Sequence, residues 1–195
     1  MSFAQADSGN VNPKYGTDIG YSKNCQSCVV AFEARLRGYN VRVLPNIKGS
    51  VLDVLSRNCN WAWIDPKTGK SPEYIYDSSL STADEYLKFV RDKVIQGNRY
   101  TIQFAWKGRG NCGHIVNLDR TEDGKLRIKD NQRGTGERSE WIGDDEVLEY
   151  LSKMKYYDHT LLGNTYSCVP KLLRIDNMDF KLDVVDYIME GRNDD

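Results

Sequence analysis

The chemistry available to this 195-residue chain lies mainly in its five cysteines and two histidines. A cysteine is mostly thiol at neutral pH and becomes a strong nucleophile where its surroundings favour the thiolate. Cys25 stands where a helix should begin. A helix amino terminus offers unpaired N–H groups and the positive end of a dipole, both of which stabilise an anionic sulfur. A thiolate there would attack an amide or acyl carbonyl. A histidine would then protonate the leaving amine, and an acid would hold that histidine in the right tautomer. His114 and Asp130 fit those two roles. The backbone N–H of Cys25 is the natural first donor to an oxyanion, and Asn24 and Gln26 are the candidate side-chain donors for the second. Their ordinary alternatives are helix capping and solvated surface. Cys28, one turn later, is the rival nucleophile, unless it is a small core residue beside Ala31 and Phe32.

These residues must be positioned by elements that the patterning reveals. A helix is expected over 25–37, with Ser22 or Asn24 as cap, Val29, Phe32 and Leu36 as a stripe, and Gly38 as the stop. Val41 and Val43 alternate, and a short helix is expected over 51–55. Pro66, Gly69 and Pro72 break the segment around Trp61 and Trp63 into turns and loop. A longer helix is expected over 82–96, opened by Ser81 and Asp84, striped by Ala83, Leu87, Val90 and Val94, and ended by Gly97. Val147, Leu148, Leu151 and Met154 mark another over 145–155. Between those two helices the period changes to two. Tyr100, Ile102, Phe104 and Trp106 alternate before a loop containing Gly108, Gly110, Asn111 and Gly113. His114, Val116 and Leu118 alternate next, as do Leu126, Ile128 and Asp130 after the polar turn at Asp123-Gly124. Helix first and antiparallel strands later is an α+β arrangement.

The hairpin links the histidine to the acid. Burying Val116 and Leu118 on the same face as Leu126 and Ile128 requires an in-phase register. A five-residue loop would oppose His114 to Asp130. A three-residue loop would oppose it to Gln132, with Asp130 as a diagonal neighbour. A two-residue turn at Asp123-Gly124 would put the faces out of phase. Against this stands the plain reading of a strand-end histidine beside a solvated carboxylate.

Other chemistries compete for the same side chains. Cys25-Gln26-Ser27-Cys28 has the CxxC spacing of a redox pair, without the βαβ surroundings such a pair prefers. Cys25 and Cys28 could also join Cys112 and His114 in a zinc site that stabilises an interaction module. The favoured thiol chemistry requires no metal or cofactor. Balanced charge, 27 basic against 28 acidic side chains, gives no net pull on nucleic acid or anionic lipid. No apolar run reaches spanning length, so membrane insertion is not expected, and the first residues lack the pattern of a secretory signal. An odd, small number of cysteines points to free thiols in a reducing compartment. The expected organisation is a polar segment over 1–22, one catalytic domain over 23–190 and a frayed polar tail over 191–195.

Two stretches carry a resemblance. Asn12-Pro13-Lys14-Tyr15 followed by Asn24-Cys25-Gln26-Ser27-Cys28-Val29-Val30-Ala31-Phe32 is one. Gly113-His114-Ile115-Val116-Asn117 with Asp130-Asn131-Gln132-Arg133-Gly134 is the other. Together they resemble the papain-fold toxin domain family, the protein-glutamine deamidase modules of bacterial polymorphic toxins. The resemblance spans residues 12–134 and leaves 135–190 uncovered. It implies a papain-like cysteine hydrolase fold, with a nucleophile-bearing helix packed against an antiparallel sheet. It also implies Cys25 as nucleophile, His114 as base, Asp130 as orienting acid and Gln132 as a supporting or substrate-binding residue. Asn131 departs from the family's frequent proline, which leaves the placement of Gln132 open. The implied activity is hydrolysis of a protein glutamine side chain to glutamate, with a papain-like cysteine peptidase as the alternative. The implied partners are a protein substrate in a target cell and a cognate immunity protein. Delivery would proceed without a conventional signal peptide, with action in the target-cell cytoplasm.

Overall fold

The computed structural model describes residues 5–6, 10–56, 58–109, 112–133, 141–157, 159–161, 164–166 and 168–192. In chain order the elements begin with α1 (Cys25–Leu36), β1 (Val41–Val43), α2 (Val51–Leu55), β2 (Trp63–Ile64), α3 (Ala83–Lys93), β3 (Arg99–Ala105), β4 (Gly113–Arg120) and β5 (Leu126–Lys129). They continue with β6 (Trp141–Ile142), α4 (Asp144–Ser152), β7 (His159–Leu161), β8 (Asn164–Tyr166), β9 (Lys171–Arg174), β10 (Asp179–Phe180), α5 (Leu182–Val185) and β11 (Met189–Gly191). The span expected as one domain resolves into two compact units that interleave in sequence. The first comprises Met1–Glu73, Asp130–Glu140 and Ile175–Asp195, and the second Tyr74–Lys129 and Trp141–Arg174.

In the first unit, α1 is enclosed. Every residue from Gln26 to Arg35 is buried, polar ones included, so the helix has no solvated face and a one-sided stripe understates it. Leu36, expected in that stripe, is only half-buried. The buried charges are matched. Glu33 accepts from Arg37 Nε at 2.8 Å, and the same guanidinium donates to the carbonyls of Ile175 and Met178, each at 2.7 Å. It also lies over the rings of Trp63 and Phe180, which stack on one another. Removing Arg37 would take the ion-pair partner from a buried carboxylate, a loss of about 3–5 kcal/mol. β1 pairs antiparallel with β11, and β2 with β10. The expected frayed tail therefore begins later than 191, because Gly191 pairs with Val41. The amino-terminal segment is likewise not all surface, since Val11, Asn12 and Tyr21 are buried. Trp61 and Trp63, expected in turns, fall in a 3₁₀ turn over Cys59–Ala62 and in β2.

The second unit is built on a five-stranded sheet in the order β6-β5-β4-β3-β9, with every pairing antiparallel. Its core brings Tyr86, Val90 and Val94 of the α3 region and Val147 and Leu151 of α4 against Tyr100, Ile102, Val116, Leu118, Leu126 and Ile128 of the strands. Leu118 faces Ile128 and Arg120 faces Leu126, while Thr121 N–H donates to Lys125 O at 2.9 Å. This is the register of the three-residue loop, with Gly124 at φ 84° closing the turn. Two boundaries differ from expectation. The capping box of α3 is Thr82 with Glu85, one residue beyond Ser81 and Asp84, and Ser81 instead adds its own N–H and hydroxyl to Glu85. The helix also stops at Lys93, before Gly97. The Tyr100 hydroxyl takes the Ile95 N–H at 3.2 Å, and Gly97 N–H turns to Arg120 O at 3.1 Å. β9, the edge strand beside β3, lies in the third of the chain that no motif covered.

Candidate active site

Cys25 is the first residue of α1 and is half-buried. Among the described residues no side-chain cap bond closes the start of this helix, so the expected capping by Ser22 or Asn24 does not occur. Asn24 serves the entry differently. Its carbonyl accepts from Ser27 and Cys28 N–H at 2.9 and 3.0 Å, while its side chain turns inward. Asn24 Nδ2 donates to Leu44 O at 3.4 Å, and Oδ1 accepts from Asn12 Nδ2 at 3.2 Å and from the Cys28 thiol at 3.5 Å.

The backbone before Cys25 is clamped by amide side chains. The Tyr21 carbonyl accepts from Asn12 Nδ2 at 2.9 Å, that of Ser22 from Gln132 Nε2, and that of Lys23 from Asn46 Nδ2 at 2.8 Å. Three successive carbonyls held this way fix where the chain enters α1, and with it where the thiol stands. Gln26 is buried, with Oε1 3.7 Å from the Cys25 sulfur and Nε2 donating to Leu52 O at 3.4 Å. The amide nitrogens of Asn24 and Gln26 thus face backbone carbonyls. Each of these NH₂ groups has two hydrogens, and these bonds hold the helix start in place.

Cys28 is buried, and its thiol is pushed well up, first by burial and then by the charges of Cys25 and Asp130. Cys59 is buried too and is pushed up by burial, with a further contribution from Cys25. Both stay protonated at neutral pH and behave as core thiols. Cys28 has the surroundings of the small core residue rather than those of a nucleophile. Site-resolved labelling with iodoacetamide checks this. We expect Cys25 to react well ahead of Cys28 and Cys59, with exposed Cys112 as the reference thiol. Faster labelling of Cys28 than of Cys25 would move the nucleophile to Cys28.

Asp130 follows β5 directly, is buried, and accepts the Gln132 N–H at 3.1 Å, which closes the turn on itself. The 3₁₀ turn Asn131–Arg133 that it opens packs beside α1. The proline frequent at position 131 in the family is not needed to place Gln132, whose side chain reaches Ser22 and whose carbonyl accepts Asn12 Nδ2 at 2.7 Å. Gly134, the last residue of that motif, lies outside the described residues, as do Gly110 and Asn111 of the loop before His114. Asn12 was part of the resemblance without a role, and its two long-range bonds give it one.

His114 belongs to the second unit. It is buried on β4 opposite Phe104 of β3. Trp106 stacks on the imidazole, with centroids 5.4 Å apart at 26°, and Phe104 meets it edge-to-face at 5.6 Å and 89°. The alternation of Phe104 and Trp106 placed both on a strand, but their closeness to His114 needed the register between strands. Cys25 and Asp130 belong to the first unit. Among the described residues, no three His, Cys, Asp or Glu side chains gather as metal ligands.

A thiol heading an enclosed helix in an α+β chain belongs to the papain-like class of cysteine hydrolases. Residues 23–135 match the family model described as "Papain fold toxin 1, glutamine deamidase". That match covers more than half of the chain, and the chain belongs to this family. It includes Cys25, Cys28, His114, Asp130 and Gln132 and ends before β6. No curated protein matches the chain significantly. The activity that follows is cysteine-dependent glutamine deamidation by a toxin module.

Proposed function

We propose that Cys25 is the nucleophile, His114 the general base and acid, and Asp130 the acid that orients and charges the imidazole, in the deamidation of a glutamine side chain on a protein of a target cell. The Cys25 thiolate attacks the side-chain carbonyl carbon, and the carbonyl π pair moves to oxygen. The oxyanion accepts from the N–H of Cys25 at the uncapped helix start. Collapse expels the amine, which takes the imidazolium proton and leaves as ammonia, with a thioester remaining. The imidazole then deprotonates water, hydroxide adds to the thioester, and the thiolate departs to leave the side-chain carboxylic acid, whose proton passes to ammonia to give glutamate and ammonium. Atoms and charge balance without a cofactor. The product replaces two N–H donors with an anion that only accepts, which is enough to disable a recognition surface.

The observation that carries this reading is the pairing within the first unit. The half-buried Cys25 heads α1, and the turn of Asp130 is tied to the segment that leads into it. The rival thiol Cys28 is held protonated by burial. Aromatic rings on two sides of His114 support a fixed imidazole. Membership in a toxin family supports a protein substrate; action in the target-cell cytoplasm and a cognate immunity protein in the producer complete the proposal.

Mass spectrometry of target-cell proteins exposed to wild type and to Cys25→Ala tests the reading. We expect particular glutamines to appear as glutamate only with wild type, on intact chains. Cleaved chains without deamidated residues would instead mark a peptidase acting through the same thiol.

A further inference from the structure

Asn12 lies outside the stretch that matches the family model, yet its side chain is fully buried and touches both halves of the catalytic apparatus in its unit. One carboxamide nitrogen donates to Tyr21 O at 2.9 Å, Asn24 Oδ1 at 3.2 Å and Gln132 O at 2.7 Å. The first two acceptors belong to the lead-in to Cys25. The third belongs to the turn whose N–H closes onto Asp130. An NH₂ group has two hydrogens for these three oxygens, so one of them is shared. Among the described residues Asn12 Oδ1, which is buried, has no hydrogen-bond partner, and the bonds of this side chain come from its donor end. Its own backbone N–H is held by Asn10 Oδ1 at 2.9 Å, and the neighbouring Val11 O accepts from Val43 N–H at 2.9 Å.

We propose that Asn12 is a positioning residue for deamidation, fixing the segment before Cys25 and the turn of Asp130 against each other through one shared donor. The inference rests on the reading of Cys25 and Asp130 as catalytic. Asn12 touches neither of them and acts through Asn24 and Gln132. The parallel bond from Gln132 Nε2 to Ser22 O joins the same two segments, but Gln132 is half-buried whereas Asn12 is sealed from solvent. Losing Asn12 takes this donor from the carbonyls of Tyr21 and Gln132 and leaves Asn24 Oδ1 to the Cys28 thiol, so that the two segments are held more loosely, through the Gln132 bond to Ser22. A displacement of about 1 Å in a catalytic constellation costs roughly 10²-fold in rate.

The chain carries its own controls. Labelling of buried Cys28 and Cys59 reports unfolding, and exposed Cys112 serves as a reference thiol. Iodoacetamide is the probe, applied to wild type, Asn12→Ala, the gentler Asn12→Ser, and Val11→Ala, which weakens an equally buried neighbour without touching the network. In molecules whose Cys28 and Cys59 stay unlabelled, the rate of Cys25 relative to Cys112 should fall at least tenfold in Asn12→Ala and less in Asn12→Ser. It should stay at the wild-type value in Val11→Ala. Deamidation by the folded fraction should follow the same order. If Asn12→Ala does not fold, Asn12→Ser decides the matter alone. A Cys25-to-Cys112 ratio in the Asn12 variants equal to that of Val11→Ala would overturn the positioning role, and the nucleophile assignment would stand. Deamidation surviving in Cys25→Ala would overturn the assignment itself.

Discussion

Alanine at Cys25 or at His114 is expected to reduce deamidation by roughly four orders of magnitude or more, and the double variant should be little worse than either single one. A nucleophile and its base act as a unit, so the first removal takes nearly all the chemistry. The same variants should abolish harm to cells in which the protein is expressed, since a toxin module acts through its product. Inducible expression at matched soluble levels, with growth followed beside glutamine deamidation, makes the comparison. A folded double variant that still arrests growth would break the link between chemistry and toxicity. Truncation at Cys25 should be structurally mild, because the residue is half-buried and its sulfur bonds to Gln26 Oε1 at a long 3.7 Å. Folding defects would be more of a concern at Cys28, whose sulfur is buried against Asn24.

Asp130→Asn should fold and yet lose turnover, by a factor on the order of 10²–10⁴, because an amide cannot stabilise a charged imidazole as a carboxylate does. The turn should survive the change. Asparagine keeps the Oδ1 that accepts the Gln132 N–H, and such closures tolerate either residue. Circular dichroism beside a turnover assay separates the two effects. Undiminished turnover in the folded variant would remove Asp130 from the mechanism and leave its carboxylate only a turn-closing function. Asp130→Ala is the less informative change, since it removes the turn closure and the charge together.

Much of this was legible because local patterns carried it. Cys25 at the head of a helix and the in-phase faces of β4 and β5 follow from periodicity and turn chemistry alone. Helix ends were read less well, because the deciding groups were distant. Tyr100, seven residues beyond Lys93, reaches back to the end of α3. The bonds of Asn24 and Gln26 to the carbonyls of Leu44 and Leu52 were hidden for a similar reason, since no spacing rule announces those partners. Asn12 was visible only as a letter in a motif. Its meaning needed Gln132, 120 residues away in the chain, to arrive beside it. The strands after residue 135 were too short and too weakly alternating to mark themselves, although β9 and β11 each complete a pairing begun much earlier.

The late arrival of β11 bears on how the molecule comes into being. The unit that holds the thiol is drawn from the beginning, the middle and the end of the polypeptide, and its β1 strand waits for Met189–Gly191. Arg37 likewise waits for the carbonyls of Ile175 and Met178 before its buried charge network is satisfied. Chains emerge from the ribosome amino end first, and pairings of high sequence separation form last. A chain made in that order presents the thiol well before the strand and the carbonyls that complete its unit.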